Sequence, residues 1–406
     1  MGKYPKTSLP IPPQIRGGDR VGSWAYNTMD SRLSALCRRI IDENGFSGAI
    51  ADNLETLARN LPEGKVIKIK NLLPAEEWDN YVEPYLGKGW LDIPWYFAEA
   101  YFYRRVLEAT DYFSNGRDPF AAQKIMGVEG SIVSMRKASY LVNNLTLGQP
   151  NNIVTLTYLS LWGNKADLSL WPASSGDRSQ VELDGDRANL LADDTPQLLE
   201  LLADSQGNRI DFIIDNAGFE LFCDLCLADY LLTSKVSAEI HFHVKAHPTF
   251  VSDAIAKDVR NLVDLFTSEV LMVSDNREVH SLATRLQDHL TAGRLQLRDN
   301  LFWNSPLVFW EMPDELRQEL AKASLIIVKG DANYRRILGD CYWPFTTPFE
   351  EIANYFPAPL LALRTMKAEL ACGLSPGQAA ALDAQDPEWL TNGQRGVVQL
   401  ARPLSA

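Results

Sequence analysis

The chain has 406 residues, which at roughly 150 residues per domain is room for two or three domains; it is 46% hydrophobic and 22% charged. This is the composition of a globular protein with a large core, and it excludes disordered, collagen-like and coiled-coil chains. Asp and Glu outnumber Lys and Arg by 52 to 39, a formal charge of −13, which excludes a general binder of nucleic acid or anionic membrane, since both need a cationic surface.

No stretch of about 18 apolar residues is present to span a bilayer. The opening Met1-Gly2-Lys3-Tyr4-Pro5-Lys6 lacks the apolar core of a signal peptide, and Lys6 breaks the myristoylation pattern. Five cysteines, an odd and sparse set, point to a reducing compartment, so a cytoplasmic location is expected.

The early chain reads as helical. Leu33, Leu36, Ile40 and Ile41 give residues 30–44 a helical spacing. Pro94 suits the first turn of a second helix that opens with Trp95-Tyr96-Phe97. A third helix is predicted over about 119–144, with a break near Gly127 or Gly130. No strand is predicted before about residue 205. Strands and helices then alternate. Ile210–Ile214 is a predicted strand, and 218–232 a helix apolar nearly all round, hence buried. Residues 239–245 form the next strand, with a helix starting near Ser252-Asp253. Residues 277–291 are helical, and strands follow at 293–298, 323–329 and 396–401. This alternation predicts an α/β fold: a three-layer α/β/α sandwich with a mainly parallel sheet. An N-terminal helical subdomain is expected over 1–150, and the α/β/α domain with the site over 151–406. Ligands of such sheets bind beyond the carboxyl ends of the strands. Three of those ends carry Asp215-Asn216, Ser252-Asp253 and Gly330-Asp331, a set suited to a hard cation with oxygen ligands.

Several motifs fail on inspection. Gly373-Leu374-Ser375-Pro376-Gly377 fits G-x-S-x-G, but Pro376 has no N–H for an oxyanion hole and no histidine follows. Cys223 and Cys226 form a C-x-x-C with no second pair for zinc, and they lie inside an apolar helix as two small core residues. His241 and His243 face one side of a strand, near His247; this is either a metal pair or a set of hydrogen-bonded inner residues. Asp184-Gly185-Asp186 follows a polar stretch and does not support a haloacid-dehalogenase site. No G-x-G-x-x-G or Walker A pattern occurs.

The Ile213–Leu221 segment sets a carboxylate, Asp215, beside an amide oxygen, Asn216, at a strand end. Helix capping by Asn216 is the plain alternative. This segment resembles the metal-binding motif of the damage-control phosphatases of subfamily III, a group that includes proteins described as acidic-residue methyltransferases. The likeness extends in order over about residues 20–385. It includes Trp95 to Arg105, Ser160 to Asn164 with Ala166 to Ser169, Phe242 to Lys245 with Pro248 and Val251 to Asp253, Val328 to Arg335, and Arg364-Thr365-Met366-Lys367. Ala332 replaces the usual leucine, and His247 stands where other members carry an apolar residue.

The resemblance implies a metal-dependent phosphoric monoester hydrolase. Its substrate would be a small phosphorylated metabolite, a sugar phosphate such as fructose 1-phosphate or fructose 6-phosphate. Asp215, Asn216 and Asp253 would bind Mn²⁺ or Mg²⁺, with Co²⁺ or Ni²⁺ as substitutes. Asn164, Asp167, Asp331, Asn333, Arg335 and Lys367 would contact substrate. Asp215, Asp253 and Asp331 would be the catalytic carboxylates. A metal-bound hydroxide is the favoured nucleophile, with an aspartyl-phosphate route through Asp253 or Asp331 as the alternative. Arg32 and Glu99 are further candidates with no assigned role. Two other classes stay open: carboxyl methyl transfer from S-adenosylmethionine, for which no glycine-rich loop is visible, and non-catalytic metabolite binding.

Overall fold

The computed structural model describes residue 7 and residues 9–70, 78–163, 187–204, 208–267 and 277–403. Its centre is a seven-stranded sheet: β1 (Leu190–Asp193), β2 (Asn208–Ile213), β3 (Ser237–Lys245), β4 (Leu295–Asn300), β5 (Leu325–Lys329), β6 (Leu360–Thr365) and β7 (Gly396–Ala401). The strand order is β1-β7-β6-β5-β2-β3-β4. All neighbours pair in parallel except β6 and β7. The fold is therefore α/β with a mainly parallel sheet, as the alternation predicts.

Helices cover both faces because the central strands are apolar on both. Phe212, Phe242, Val244 and Ile327 point into one core with the helices Ile132–Asn144, Pro150–Trp162, Phe219–Thr233 and Arg277–Thr291. Ile213, Ile326, Val328 and Ala362 point into the other, with Leu33–Asn44, Trp95–Ala109 and Asp331–Ile337. The first 120 residues thus contribute apolar side chains to a core they share with the sheet. Phe219–Thr233 is buried from Glu220 to Leu232, which places Cys223 and Cys226 in the interior. All five cysteines are free and buried. Among the described residues, no helix is long and apolar enough to cross a membrane.

Three expectations need correction. A strand does precede residue 205: β1 is four residues long, and its pairing with β7 defines it more than its composition does. No strand is predicted at 360–365, yet Leu360–Thr365 forms β6. Arg364 and Thr365 end β6, and Met366 onward is irregular. The run Leu360 to Leu363 is rich in helix formers, but its place between β5 and β7 overrides propensity. The helix after Asp253 begins only at Ala256. The break predicted in the 119–144 helix falls at Ser131, between Ala121–Gly130 and Ile132–Asn144.

Candidate active site

The site forms where β2, β3, β5 and β6 end. β2 lies between β3 and β5, so their carboxyl ends converge. The chain leaving β3 turns back on the end of β2: the Ala254 N–H donates to the Asp215 carbonyl (2.8 Å), and the Ala217 N–H to that of Ser252 (2.7 Å). An antiparallel bridge thereby joins Asn216 to Asp253. The turn needs left-handed backbone at Phe250 (φ 44°) and Val251 (φ 68°), a conformation costly for a β-branched residue. Packing holds it there, with the Phe250 ring against Tyr96 and Tyr103. From β5, Gly330 (φ 87°, ψ 167°) takes a conformation nearly confined to glycine. A Cβ there would collide with the Asp215 carboxylate and lie 2.8 Å from its Cβ.

A cavity of about 440 Å³ opens at this point, and Asp215, Asn216, Asp253, Asp331, Arg335 and Lys367 all line it, together with Arg32 and Glu99. Of these, residues up to 335 apart in sequence, Arg32 and Lys367, are thus brought together. Asn333 does not line it. Its buried side chain donates to the carbonyl of Lys329 (2.9 Å) and points toward that of Ile214 (3.5 Å), linking β5 to β2 behind the site. Asn164 and Asp167 lie outside the described residues.

The carboxyl groups here are buried and crowded. Asp215 is 6% exposed and Asp253 2%. Burial pushes the Asp215 carboxyl well above the usual range; Glu220 and Asp253 push it further, against the pull of Lys245 and Lys367. Burial also raises Asp253, offset by the Lys245 ammonium 3.3 Å away. Burial lowers the Lys245 ammonium in turn, and Asp253 opposes this. Asp253 Oδ2 is buried with no hydrogen bond in good geometry. Crowded, buried carboxylates beside an amide are a donor set that fits a hard divalent ion.

The cations have separate tasks. Arg335 directs three of its five N–H groups to carboxylates: Nε and Nη2 to Asp340 (2.8 and 3.1 Å), and Nη1 to Glu99. Its guanidinium lies 3.5 Å from the Trp95 ring centre. Its charge is therefore already paired, which leaves it less capacity for phosphate than the sequence suggests. Arg364 Nε (2.7 Å) and the Lys367 N–H (3.1 Å) both donate to Asp331 Oδ1. The half-buried Lys367 ammonium has no ion pair among the described residues. Such a lysine contributes about 1.5–3 kcal/mol to a phosphate contact. Lys367→Ala should lower kcat/KM by roughly ten- to a hundredfold with metal affinity nearly unchanged. Steady-state kinetics paired with a Mn²⁺ titration measures both; an unchanged kcat/KM would return Lys367 to solvent.

Sequence reasoning missed Glu220 and Lys245, both at the site. Each stood in a segment noted for its neighbours, and neither spacing nor residue type singled it out. A second group able to hold a metal ion lies elsewhere, at Asp211, His241 and His243, with ligand atoms within 4.8 Å of one another. His241 and His243 do share one side of β3, as expected. Arg209 grips both oxygens of Asp211 (2.8 and 2.9 Å), and His243 Nε2 donates to the same carboxylate at 3.0 Å. None of the three lines the cavity. His247 is held apart by Asn304 and Phe113.

Fold and site together define an α/β protein with an acidic cavity, edged by cations, at the carboxyl ends of a mainly parallel sheet. The chain belongs to the damage-control phosphatase ARMT1-like family, whose domain profile matches residues 28–382; it is a phosphatase. It is 34% identical to damage-control phosphatase ARMT1 of Mus musculus, over 94% of this chain and 97% of that one. It is 32% identical to the proteins of the same name from Bos taurus and Homo sapiens, over 97% of this chain and 99% of each of theirs. Among solved structures, a DUF89 family protein from Pyrococcus horikoshii matches with a TM-score of 0.47 and 16% identity, covering 92% of this chain and 97% of that one.

Proposed function

We propose that this phosphatase is metal-dependent and hydrolyses small sugar phosphates, such as fructose 1-phosphate or fructose 6-phosphate, in the cytoplasm. The observation that carries the reading is the convergence of Asp215, Asn216 and Asp253 with Lys367 on one cavity. Asp215, Asn216 and Asp253 would hold Mn²⁺ or Mg²⁺. A divalent cation there supplies positive charge against the transferring phosphoryl group and its leaving oxygen. Lys367 binds phosphate oxygens as a point charge. Asp331, fixed through Oδ1 by Arg364 and the Lys367 N–H, orients the attacking water or a sugar hydroxyl with its other oxygen. Arg335 and Asp340 hold Glu99 and the Trp95 ring in place around the sugar. The volume of about 440 Å³ admits a phosphorylated hexose.

The test is a phosphate-release screen over sugar phosphates with Mn²⁺, Mg²⁺, Co²⁺ and Ni²⁺, run beside a methyl-transfer assay with S-adenosylmethionine. Phosphate release without methyl transfer is expected. EDTA should abolish the activity and added Mn²⁺ should restore it, because an all-oxygen site exchanges its metal readily. Full activity in a verified metal-free sample would remove the metal site from this reading.

A further inference from the structure

Behind the cavity wall, a line of buried polar side chains runs from the helix Pro150–Trp162 to Asn216. The Ser160 hydroxyl donates to Asp224 Oδ1 (2.6 Å), and the Lys329 ammonium meets that same oxygen at 3.0 Å. Lys329 also donates to the Ser160 carbonyl and lies 3.5 Å from Glu220 Oε1. The other oxygen of Glu220, Oε2, accepts from Asn216 Nδ2 (2.9 Å). Every member except Asn216 is buried, with Asp224 at 0% and Lys329 at 1% exposure.

This line ends on a side chain that has two distinguishable ends. Asn216 Nδ2 donates to two carboxyl groups, to Glu220 Oε2 and to Asp215 Oδ2 (2.8 Å). Asn216 Oδ1 faces the Ser252 hydroxyl, which donates to it (2.5 Å). The amide is thereby oriented with its nitrogen toward the helix Phe219–Thr233 and its oxygen toward the 250–253 turn. A cation can use only the oxygen.

We infer that Glu220 is a positioning residue for the metal: anchored by Lys329, it holds the nitrogen of Asn216 and so keeps the amide oxygen available as a ligand. The inference rests on the metal reading of Asp215, Asn216 and Asp253. It assigns a purpose to the buried Glu220–Lys329–Asp224 set, which costs desolvation that an apolar core would not. Partners that orient metal ligands typically change metal affinity by about 10–100-fold when removed.

The test is calorimetric titration of Mn²⁺ into metal-free wild type, Glu220→Gln, Asn216→Ala and the double variant. Thermal unfolding of each checks the fold; glutamine has nearly the volume of glutamate, so Glu220→Gln keeps the packing. Glutamine can turn its own N–H₂ toward Asn216 and no longer fixes the amide. Glu220→Gln should weaken Mn²⁺ binding by about tenfold or more. In the Asn216→Ala background the same change should have almost no further effect, because Glu220 acts through Asn216. A loss of equal size in both backgrounds would mean that Glu220 acts by its charge or as a ligand itself, and would overturn the inference. So would wild-type affinity in Glu220→Gln. Failure of wild type to bind Mn²⁺ at all would overturn the metal reading beneath it, and is seen in the first titration.

Discussion

Asp215→Ala and Asp253→Ala should each lower kcat/KM by at least about a hundredfold, the scale of losing one preorganised charge contact to a transition state. The effect follows from burial. Each side chain would supply a negative oxygen to one cation, and neither is more than 6% exposed, so water cannot readily substitute. Fold stability should not fall in step. In the metal-free protein Asp215 is pushed well above its ordinary carboxyl range by desolvation and by its acidic neighbours Glu220 and Asp253. Removing one carboxylate relieves that repulsion. For Asp253→Ala the gain is smaller, because Lys245 would lose its ion-pair partner at 3.3 Å. The measurements are sugar-phosphate kinetics, Mn²⁺ calorimetry and urea unfolding of the metal-free variants. Retained Mn²⁺ affinity in both variants would place the metal elsewhere, and the Asp211–His241–His243 group would be the next to test.

Gly330→Ala should cost both activity and stability, although it adds a single methyl group. The backbone at φ 87° and ψ 167° lies in a region essentially restricted to glycine, where another residue costs of order 1–3 kcal/mol. The added Cβ would also drive into the Asp215 carboxylate. Asp215 must then leave its place, and kcat/KM should fall about as far as in Asp215→Ala. Gly377→Ala is the matched control. It too has positive φ, 81°, but its Cβ would meet nothing within 4 Å. It should lose roughly 1–2 kcal/mol of stability with kcat/KM unchanged. If Gly330→Ala matched Gly377→Ala in activity, the close approach to Asp215 would have no functional consequence.

The sheet was legible wherever a strand was both long and apolar. The strand read at 323–329, found at Leu325–Lys329, was legible because a strand buried on both faces is almost continuously apolar. Residues 210–214 and 239–245 read as strands because apolar residues recur at alternate positions, Ile210 and Phe212 in one, and Ile240, Phe242 and Val244 in the other. β6 was not legible: Leu360-Leu361-Ala362-Leu363 suits a helix equally well, and only its neighbours β5 and β7 make it a strand. That strand is also what carries Lys367 to the site. The lysine stands two residues beyond β6, beside the ends of β5 and β2.

The order of residues alone reveals the class of the fold, the strand ends that carry Asp215, Asn216 and Asp331, and the resemblance through which the family could be read. These are local properties: apolar runs, turn residues and short motifs are written in consecutive positions. Only the tertiary structure decided how the side chains are shared out. It paired Arg335 with Glu99 and Asp340, left Lys367 without an ion pair among the described residues, withdrew Asn333 behind the cavity and set Glu220 against Asn216. Those outcomes depend on distances between residues up to 236 positions apart. A buried charge takes whichever opposite charge the packing brings within reach, and that partner is defined by the meeting of strands and helices and not by any spacing along the chain.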